Sequence, residues 1–158
     1  MSDMLVKLYD LQKMEAFDKN FKNREILVRV AMAYEKHDVI EWISNSFGKQ
    51  WASECSAAFS RQPISCFIAT ERGRIIGFAA YDCTCKNFFG PTGVAEDKRR
   101  LGIGRTLLLS CLYAMKANGY AYAIIGGVSS TNFYTKVAGA TIIEGSSPGI
   151  YYDRLTKN

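Results

Sequence analysis

Residues 87–105 combine the residue types that bind a phosphate group. Four cations, at positions 98–100 and at Arg105, surround the glycines of Gly102-Ile103-Gly104, and a strongly periodic apolar segment follows. A helix N-terminus carries about half a positive charge and up to four unpaired N–H donors, so it readily binds anions. The pattern therefore predicts that this turn holds a phosphorylated cofactor.

Two common phosphate-binding motifs do not fit the glycines of this turn. The dinucleotide fingerprint G-x-G-x-x-G fails because its third glycine is replaced by Leu107. A phosphate loop ending in Gly-Lys-Ser/Thr is absent from the sequence. Taken alone, Gly102 and Gly104 are also compatible with a turn that only joins a strand to a helix.

Composition and charge narrow the classes of partner. The chain has 158 residues, of which 48% are hydrophobic and 22% charged, as expected for one globular domain. Its net charge is +5, yet the basic residues are scattered outside the predicted phosphate turn. A polyanionic cofactor explains that local cluster without nucleic acid. No apolar run reaches the roughly 18 residues of a membrane span, and we expect a cytoplasmic protein without membrane contact.

The cysteines favour neither disulfides nor a metal site. Their number, five, is odd, and Cys83-Thr84-Cys85 has no second pair to complete a zinc site. The only histidine is His37. We therefore predict no bound metal and interpret the cysteines as buried, reduced thiols that pack as small hydrophobic residues.

The order of elements predicts a mixed α/β (α+β) domain. Apolar and β-branched runs predict strands over residues 4–9, 26–31, 65–70, 74–81, 86–93, 121–125, 140–144 and 150–155. A period of 3.6 predicts helices over residues 11–20, 34–47, 51–59, 103–118 and 131–137. In the helix over 103–118, the buried stripe should consist of Leu107, Leu108, Cys111, Leu112 and Met115.

Two motifs together resemble the GNAT superfamily of N-acetyltransferases. Arg99-x-x-Gly102-x-Gly104, after a broken strand and before a helix, resembles the acetyl-CoA signature of that family. Downstream, Asn132-Phe133-Tyr134-x-Lys136 followed by a glycine resembles a second family segment. The resemblance implies a single N-acetyltransferase domain over residues 1–158, with an N-terminal extension (1–24) and a GNAT core (26–155). It also implies a mixed sheet that splays around the cofactor, with about four helices beside it.

The resemblance further implies acetyl transfer from acetyl-CoA to a primary amine of a small molecule or peptide, and it allows a homodimer. Tyr134 matches the general acid of the family, although a tyrosine that is bonded locally on the sheet fits the sequence as well. Asn132 matches a cofactor contact but also suits a helix N-cap. The cofactor contacts implied in this sequence are Val94, Arg99, Arg100, Leu101, Gly102, Ile103, Gly104, Arg105 and Asn132.

The acceptor side is less well defined by the sequence. Glu54, Asp82 and Glu96 are candidates for a general base, with Glu54 preferred, but each also fits a solvated carboxylate. Aromatic residues on the two early helices, Trp42, Phe47, Trp51 and Phe59, belong either to the core or to the acceptor wall. A non-catalytic acyl-CoA sensor on the same fold remains the alternative function.

Overall fold

Seven strands form one mixed sheet in the computed structural model, which describes residues 1–14 and 19–156. The sheet order is β2-β3-β4-β5-β6-β1-β7. The strands are β1 (Met4–Lys7), β2 (Ile26–Val30), β3 (Cys66–Glu71), β4 (Arg74–Tyr81), β5 (Phe88–Val94), β6 (Tyr122–Ile125) and β7 (Thr141–Ile142). The α-helices found in this described part are α1 (Lys19–Asn23), α2 (Lys36–Phe47), α3 (Lys49–Ser56), α4 (Ile103–Ala117) and α5 (Thr131–Ala138).

The sheet splits between its two central strands. β5 and β6 are parallel and pair only at Phe88–Ile124 and Phe89–Ile125, whereas the other pairs are antiparallel. β5 then continues along β4 as far as Val94. Gly90 has φ of +119° and is followed by Pro91, and the register of β5 against β4 shifts at this point, as expected where glycine and proline interrupt a strand. The mixed, splayed sheet predicted from the sequence is confirmed.

Helix α4 covers one face of the sheet. Its predicted stripe of Leu107, Leu108, Cys111, Leu112 and Met115 is buried. Fully burying an aliphatic side chain of this size contributes about 1.5–3 kcal/mol, so this stripe anchors the helix. Helices α2 and α3 cover the opposite face through a second cluster around Ile43, Cys55 and Phe78. The N-terminus of α4 is thereby held beside the split.

The N-terminal residues contribute to the sheet itself. β1 lies between β6 and β7 and pairs with both, so residues 1–24, described above as an extension, supply an inner strand. Of the helix predicted over 11–20, residues 11–14 are not helical, residues 15–18 lie outside the described part, and α1 begins at Lys19.

The prediction of a strand over residues 150–155 is wrong. Gly149–Tyr151 forms a 3-10 turn, closed by the bond from Tyr151 N to Pro148 O at 3.0 Å. Pro148 and Gly149, which has φ of +57°, start this turn and override the β preference of the residues that follow. The strand predicted over residues 140–144 is shortened to two residues.

Candidate active site

The turn before α4 presents unpaired backbone donors. Gly102 is the N-cap of the helix, with φ of +84°, and no side chain caps it. Arg100 also has a positive φ, +69°. The bond from Thr106 N to Gly102 O at 3.1 Å begins the helix, so the N–H groups of residues 103–105 have no acceptor within it. The turn is therefore built to bind an anion through its backbone.

The four cations of the turn differ in their surroundings. Lys98 forms an ion pair with Glu71, and this pair lowers the pKa of the Glu71 carboxyl. Arg99 donates from Nε to Val94 O at 3.3 Å. Arg100 is exposed, Arg105 is half-buried, and neither forms an ion pair with another residue in the described part of the chain. Arg100 and Arg105 are thus the cations available to an anion bound in the turn.

The outer part of β5 has a free edge. Ala95 N donates to Ile76 O on β4 at 2.8 Å, and Val94 lies opposite Gly77. Backbone groups of successive residues in an antiparallel pair point alternately toward and away from the partner strand. The N–H and C=O of Val94 therefore point into the split, which agrees with the contact from Arg99 to Val94 O. An amide-containing ligand can pair with this edge.

The turn, the free edge and the split open into one cleft of about 1530 Å³. Pockets for drug-sized ligands usually have about 300–1,000 Å³, so this cleft accommodates a longer molecule. Of the predicted cofactor contacts, Val94, Arg99, Arg100, Gly102, Ile103, Gly104 and Arg105 line it.

Two predicted contacts lie away from the cleft. The side chain of Leu101 packs against the core around α4. Asn132 is exposed in the first turn of α5 and does not line the cleft. Its alternative role as an N-cap is wrong, because Ser130 occupies that position.

Tyr134 lies on the wall of the cleft. Its ring packs at 5.1 Å from Phe133 and 6.3 Å from Phe89, measured between ring centroids. Burial disfavours the phenolate and raises the pKa of Tyr134 above its usual value near 10. Its hydroxyl forms no hydrogen bond with a residue in the described ranges, 1–14 and 19–156. It is therefore a protonated donor that faces the ligand space.

The structure separates the three candidate bases. Glu54 is half-buried on α3, lines the cleft, and accepts a hydrogen bond from Thr84 Oγ1. Asp82 is buried and outside the cleft, where its oxygens accept from Asn87 N at 2.7 Å and Tyr120 Oη at 3.1 Å. Glu96 is exposed and does not line the cleft. Glu54 is the carboxylate that can reach a ligand.

Residues 62–137 match the family model described as an acetyltransferase (GNAT) domain. The matched segment, just under half of the chain, is similar to a GNAT acetyltransferase domain. No curated protein matches its sequence. The match includes the anion-binding turn, the free edge of β5 and Tyr134, whereas Glu54 lies before it.

Solved structures share the GNAT fold at low identity. A fungal GCN5-related glucosamine N-acetyltransferase region, within a multidomain β-N-acetylglucosaminidase, gives a TM-score of 0.70 at 16% identity, over 90% of this chain and 19% of that one. A GCN5-related N-acetyltransferase from Sphaerobacter thermophilus gives a TM-score of 0.64 at 16% identity, over 90% of this chain and 48% of that one. A GNAT family acetyltransferase from Brucella melitensis, in complex with acetyl-CoA, gives a TM-score of 0.60 at 15% identity, over 76% of this chain and 88% of that one. This chain thus spans a fifth to a half of the length of the first two.

The aromatic residues of the two early helices and the segment after them divide between core and cleft. Phe47 and Trp51 line the cleft, with ring centroids 5.5 Å apart and ring planes 28° from parallel. Phe47 lies so close to β5 that a Cβ on Gly93 would be 2.5 Å from its Cζ. Trp42 and Phe59 pack against the second core cluster and do not line the cleft.

Several cleft residues were missed from the sequence. Thr84, Tyr151 and Arg154 line the cleft on the side of Glu54. No functional role was predicted for them from the sequence. Because their position depends on how the chain crosses the split, no local pattern identified them.

The thiols are also less uniform than predicted. Cys55, Cys66 and Cys111 are buried, Cys83 is half-buried, and Cys85 is exposed. Burial raises the pKa of Cys83 to about 12. In the described part of the chain, no three His, Cys, Asp or Glu residues are grouped as metal ligands, and no helix is long and apolar enough to cross a membrane.

Proposed function

We propose that this chain, as a single domain, transfers the acetyl group of acetyl-CoA to a primary amine of a small molecule or peptide. The observation that carries the proposal is the shared cleft. Unpaired donors at the N-terminus of α4, the free edge of β5 and the Tyr134 hydroxyl all open into it. The acetyl-CoA complex of the similar Brucella melitensis acetyltransferase supports this donor.

Donor binding uses what we call the donor end, which consists of Val94 and residues 99–105. The pyrophosphate accepts from the N–H groups of the first turn of α4, and Arg100 and Arg105 add charge-assisted bonds. The pantetheine amides pair with the free edge at Val94, where Arg99 now contacts the carbonyl. Amide pairing at this edge competes with that contact and releases Arg99 toward the phosphates.

The reaction follows from the groups around the split. The amine nitrogen attacks the thioester carbon and forms a C–N bond, and the carbonyl oxygen becomes an oxyanion. The N–H of Val94 points into this space and can donate to it. The C–S bond then breaks, and the CoA thiolate takes a proton from Tyr134. Glu54, directly or through water, accepts the proton that the amine loses. The products are an N-acetylated amine and CoA with a free thiol.

The experiment that tests this proposal follows acetyl-CoA turnover by release of free thiol against a library of amines. With a competent acceptor, Tyr134→Phe should lower kcat by about 100-fold or more, because general acid catalysis typically contributes 10²–10⁴-fold. The dissociation constant of acetyl-CoA should stay within about twofold of wild type. Tyr34→Phe is the matched control, since Tyr34 is 80% exposed and does not line the cleft.

Each outcome has a distinct meaning. An unchanged kcat in Tyr134→Phe contradicts the role of Tyr134 as general acid. Binding of acetyl-CoA with no transfer to any amine contradicts the transferase and supports the sensor. Absence of acetyl-CoA binding contradicts both functions.

A further inference from the structure

Tyr151 lies at the carboxyl end of β6, where the sheet splits. A Cβ on Gly126 would be 2.6 Å from Tyr151 Oη, and one on Gly127 would be 3.5 Å from Tyr151 Cε2. The ring therefore occupies the space that side chains at these two positions would fill. Its hydroxyl lies beside Gly126, just after β6, and the residue lines the cleft.

Contacts on both sides of the split hold this tyrosine. Residues 148–154, which we call the C-terminal strap, begin with the turn that places Tyr151. Arg154 lies over the Tyr151 ring, with Cζ at 5.4 Å from the centroid, and donates from Nη2 to Gln50 Oε1 on α3 at 3.0 Å. On the β6 side, Asp3 Oδ1 accepts from Gly127 N at 2.8 Å. The strap therefore connects the β6 side of the cleft with α3.

Glu54 faces the same space from α3. Thr84 Oγ1 donates to Glu54 Oε1, and Oε2 forms no hydrogen bond within the described residues, so this cleft-lining side chain retains an acceptor. The pKa of Tyr151 is raised, mainly by burial and then by the negative charge of Glu54, with smaller effects of Asp3 and Cys85 that Arg154 opposes. Tyr151 is consequently a neutral hydroxyl that lines the same cleft as the Glu54 carboxylate.

These two groups match the hydrogen-bonding needs of a primary amine about to react. A neutral primary amine has two N–H donors and one lone pair, and attack requires the lone pair to point at the thioester. Two oxygen acceptors, Glu54 Oε2 and Tyr151 Oη, can take both N–H groups and leave the lone pair free. A secondary amine has one N–H and leaves one of these oxygens without its partner.

We propose that Tyr151 is an acceptor-binding residue which, with Glu54, selects unhindered primary amines over N-methylated ones. This inference rests on the proposed acetyltransferase function. Arg154 and Thr84 are positioning residues in it: Arg154 fixes the ring of Tyr151, and Thr84 orients the carboxylate of Glu54.

The kinetic test compares Tyr151→Phe with Tyr152→Phe, a neighbouring control whose side chain is 80% exposed. Tyr151→Phe should raise the KM of the acceptor amine about five- to tenfold, as expected for one lost hydrogen bond, and leave the KM of acetyl-CoA within about twofold. The preference of wild type for the primary amine over its N-methyl derivative should fall by a similar factor. Tyr152→Phe should match wild type in all three values.

An unchanged acceptor KM and preference in Tyr151→Phe overturn the inference, whereas the transferase itself remains supported by wild-type turnover.

A second measurement does not depend on turnover. Tyrosines labelled with ¹³C at Cζ are titrated by NMR, and the signal absent from Tyr151→Phe identifies Tyr151. Glu54→Gln should lower the pKa of Tyr151, whereas Glu41→Gln, on the exposed side of α2, should leave it unchanged. No difference between Glu54→Gln and wild type overturns the inference even when no acceptor amine is found. A lowered pKa combined with no transfer to any amine supports the pairing of these groups and contradicts only the transferase.

Discussion

The two ends of the cleft are built in different ways. The donor end, Val94 and residues 99–105, lies within one short stretch of chain, and its binding groups are mainly backbone N–H donors. The acceptor end, which consists of Glu54, Thr84, Tyr151 and Arg154, combines side chains from three distant segments. A backbone site needs only a turn of the right shape, whereas a side-chain site changes with each residue. The two ends should therefore respond differently to substitution, and the predictions below probe each end separately.

The largest effect should come from Gly104 at the donor end. A Cβ there would lie 3.7 Å from Val94 Cγ2 and 3.9 Å from Phe133 Cζ, so the protein itself accommodates alanine. In Gly104→Val, the additional methyl groups enter the cleft over the first-turn N–H groups. We expect the dissociation constant of CoA, measured by calorimetry, to rise at least 100-fold, about 2.7 kcal/mol. Gly104→Ala is the control and should stay within about threefold of wild type. Tight CoA binding by Gly104→Val contradicts the assignment of the donor end.

Gly93, near the aromatic residues of the cleft, differs from Gly104 because the protein leaves no room for a Cβ at this position. An alanine Cβ would lie 2.5 Å from Phe47 Cζ, so the Phe47 ring and its stacked partner Trp51 must move. Overpacking of this kind costs about 1–3 kcal/mol. We expect Gly93→Ala to lower the free energy of unfolding by that amount in urea titrations and to raise the acceptor KM. Gly104→Ala again serves as the control. Unchanged stability in Gly93→Ala shows that Phe47 does not pack on β5 in this way.

The same contrast determines what the sequence could predict. The turn at residues 99–105 and the buried stripe of α4 follow local rules, namely glycine at a helix N-cap and apolar residues every three or four positions. Glu54 was named among three carboxylates, and folding alone brought it, rather than Asp82 or Glu96, to the cleft. Asn132 was predicted as a cofactor contact, with an N-cap as the alternative, and the alternative is wrong because several polar residues near Thr131 suit that role and Ser130 occupies it.

Tyr151 shows the limit of such prediction most clearly. Its neighbours Ile150 and Tyr152 suggested a strand, but a local turn and contacts to β6 and α3 determine its position. Contacts with segments this far away, 104 residues between Arg154 and Gln50, leave no periodic pattern in a single sequence.

Smaller effects on CoA binding are expected when the two unpaired arginines of the donor end are replaced. Arg100 and Arg105 form no ion pair within the described residues, so either can bind phosphate. Arg100→Ala and Arg105→Ala should each raise the dissociation constant of CoA about fivefold, roughly 1 kcal/mol, and this effect should shrink as salt is added. Lys116→Ala, an exposed cation at the opposite end of α4, is the matched control. Equal affinities in all three variants indicate that backbone donors alone hold the phosphates.

The smallest expected effect is on the pH dependence of kcat, to which Tyr134 and the acceptor amine contribute differently. Burial raises the pKa of Tyr134 above 10, so this residue stays protonated throughout the neutral and mildly alkaline range. We therefore expect kcat to show no alkaline decline due to Tyr134 between pH 7 and about 10, and acid inhibition should instead follow protonation of the acceptor amine. A raised folded-state pKa also means that Tyr134 contributes to stability below the unfolded-state value near 10 and that this contribution is lost as the pH rises further. The measurements are kcat across this range and urea unfolding at pH 8 and above pH 10, for wild type and Tyr134→Phe. A decline in kcat between pH 8 and 9 that disappears in Tyr134→Phe contradicts a buried, protonated Tyr134, because it requires a lowered pKa.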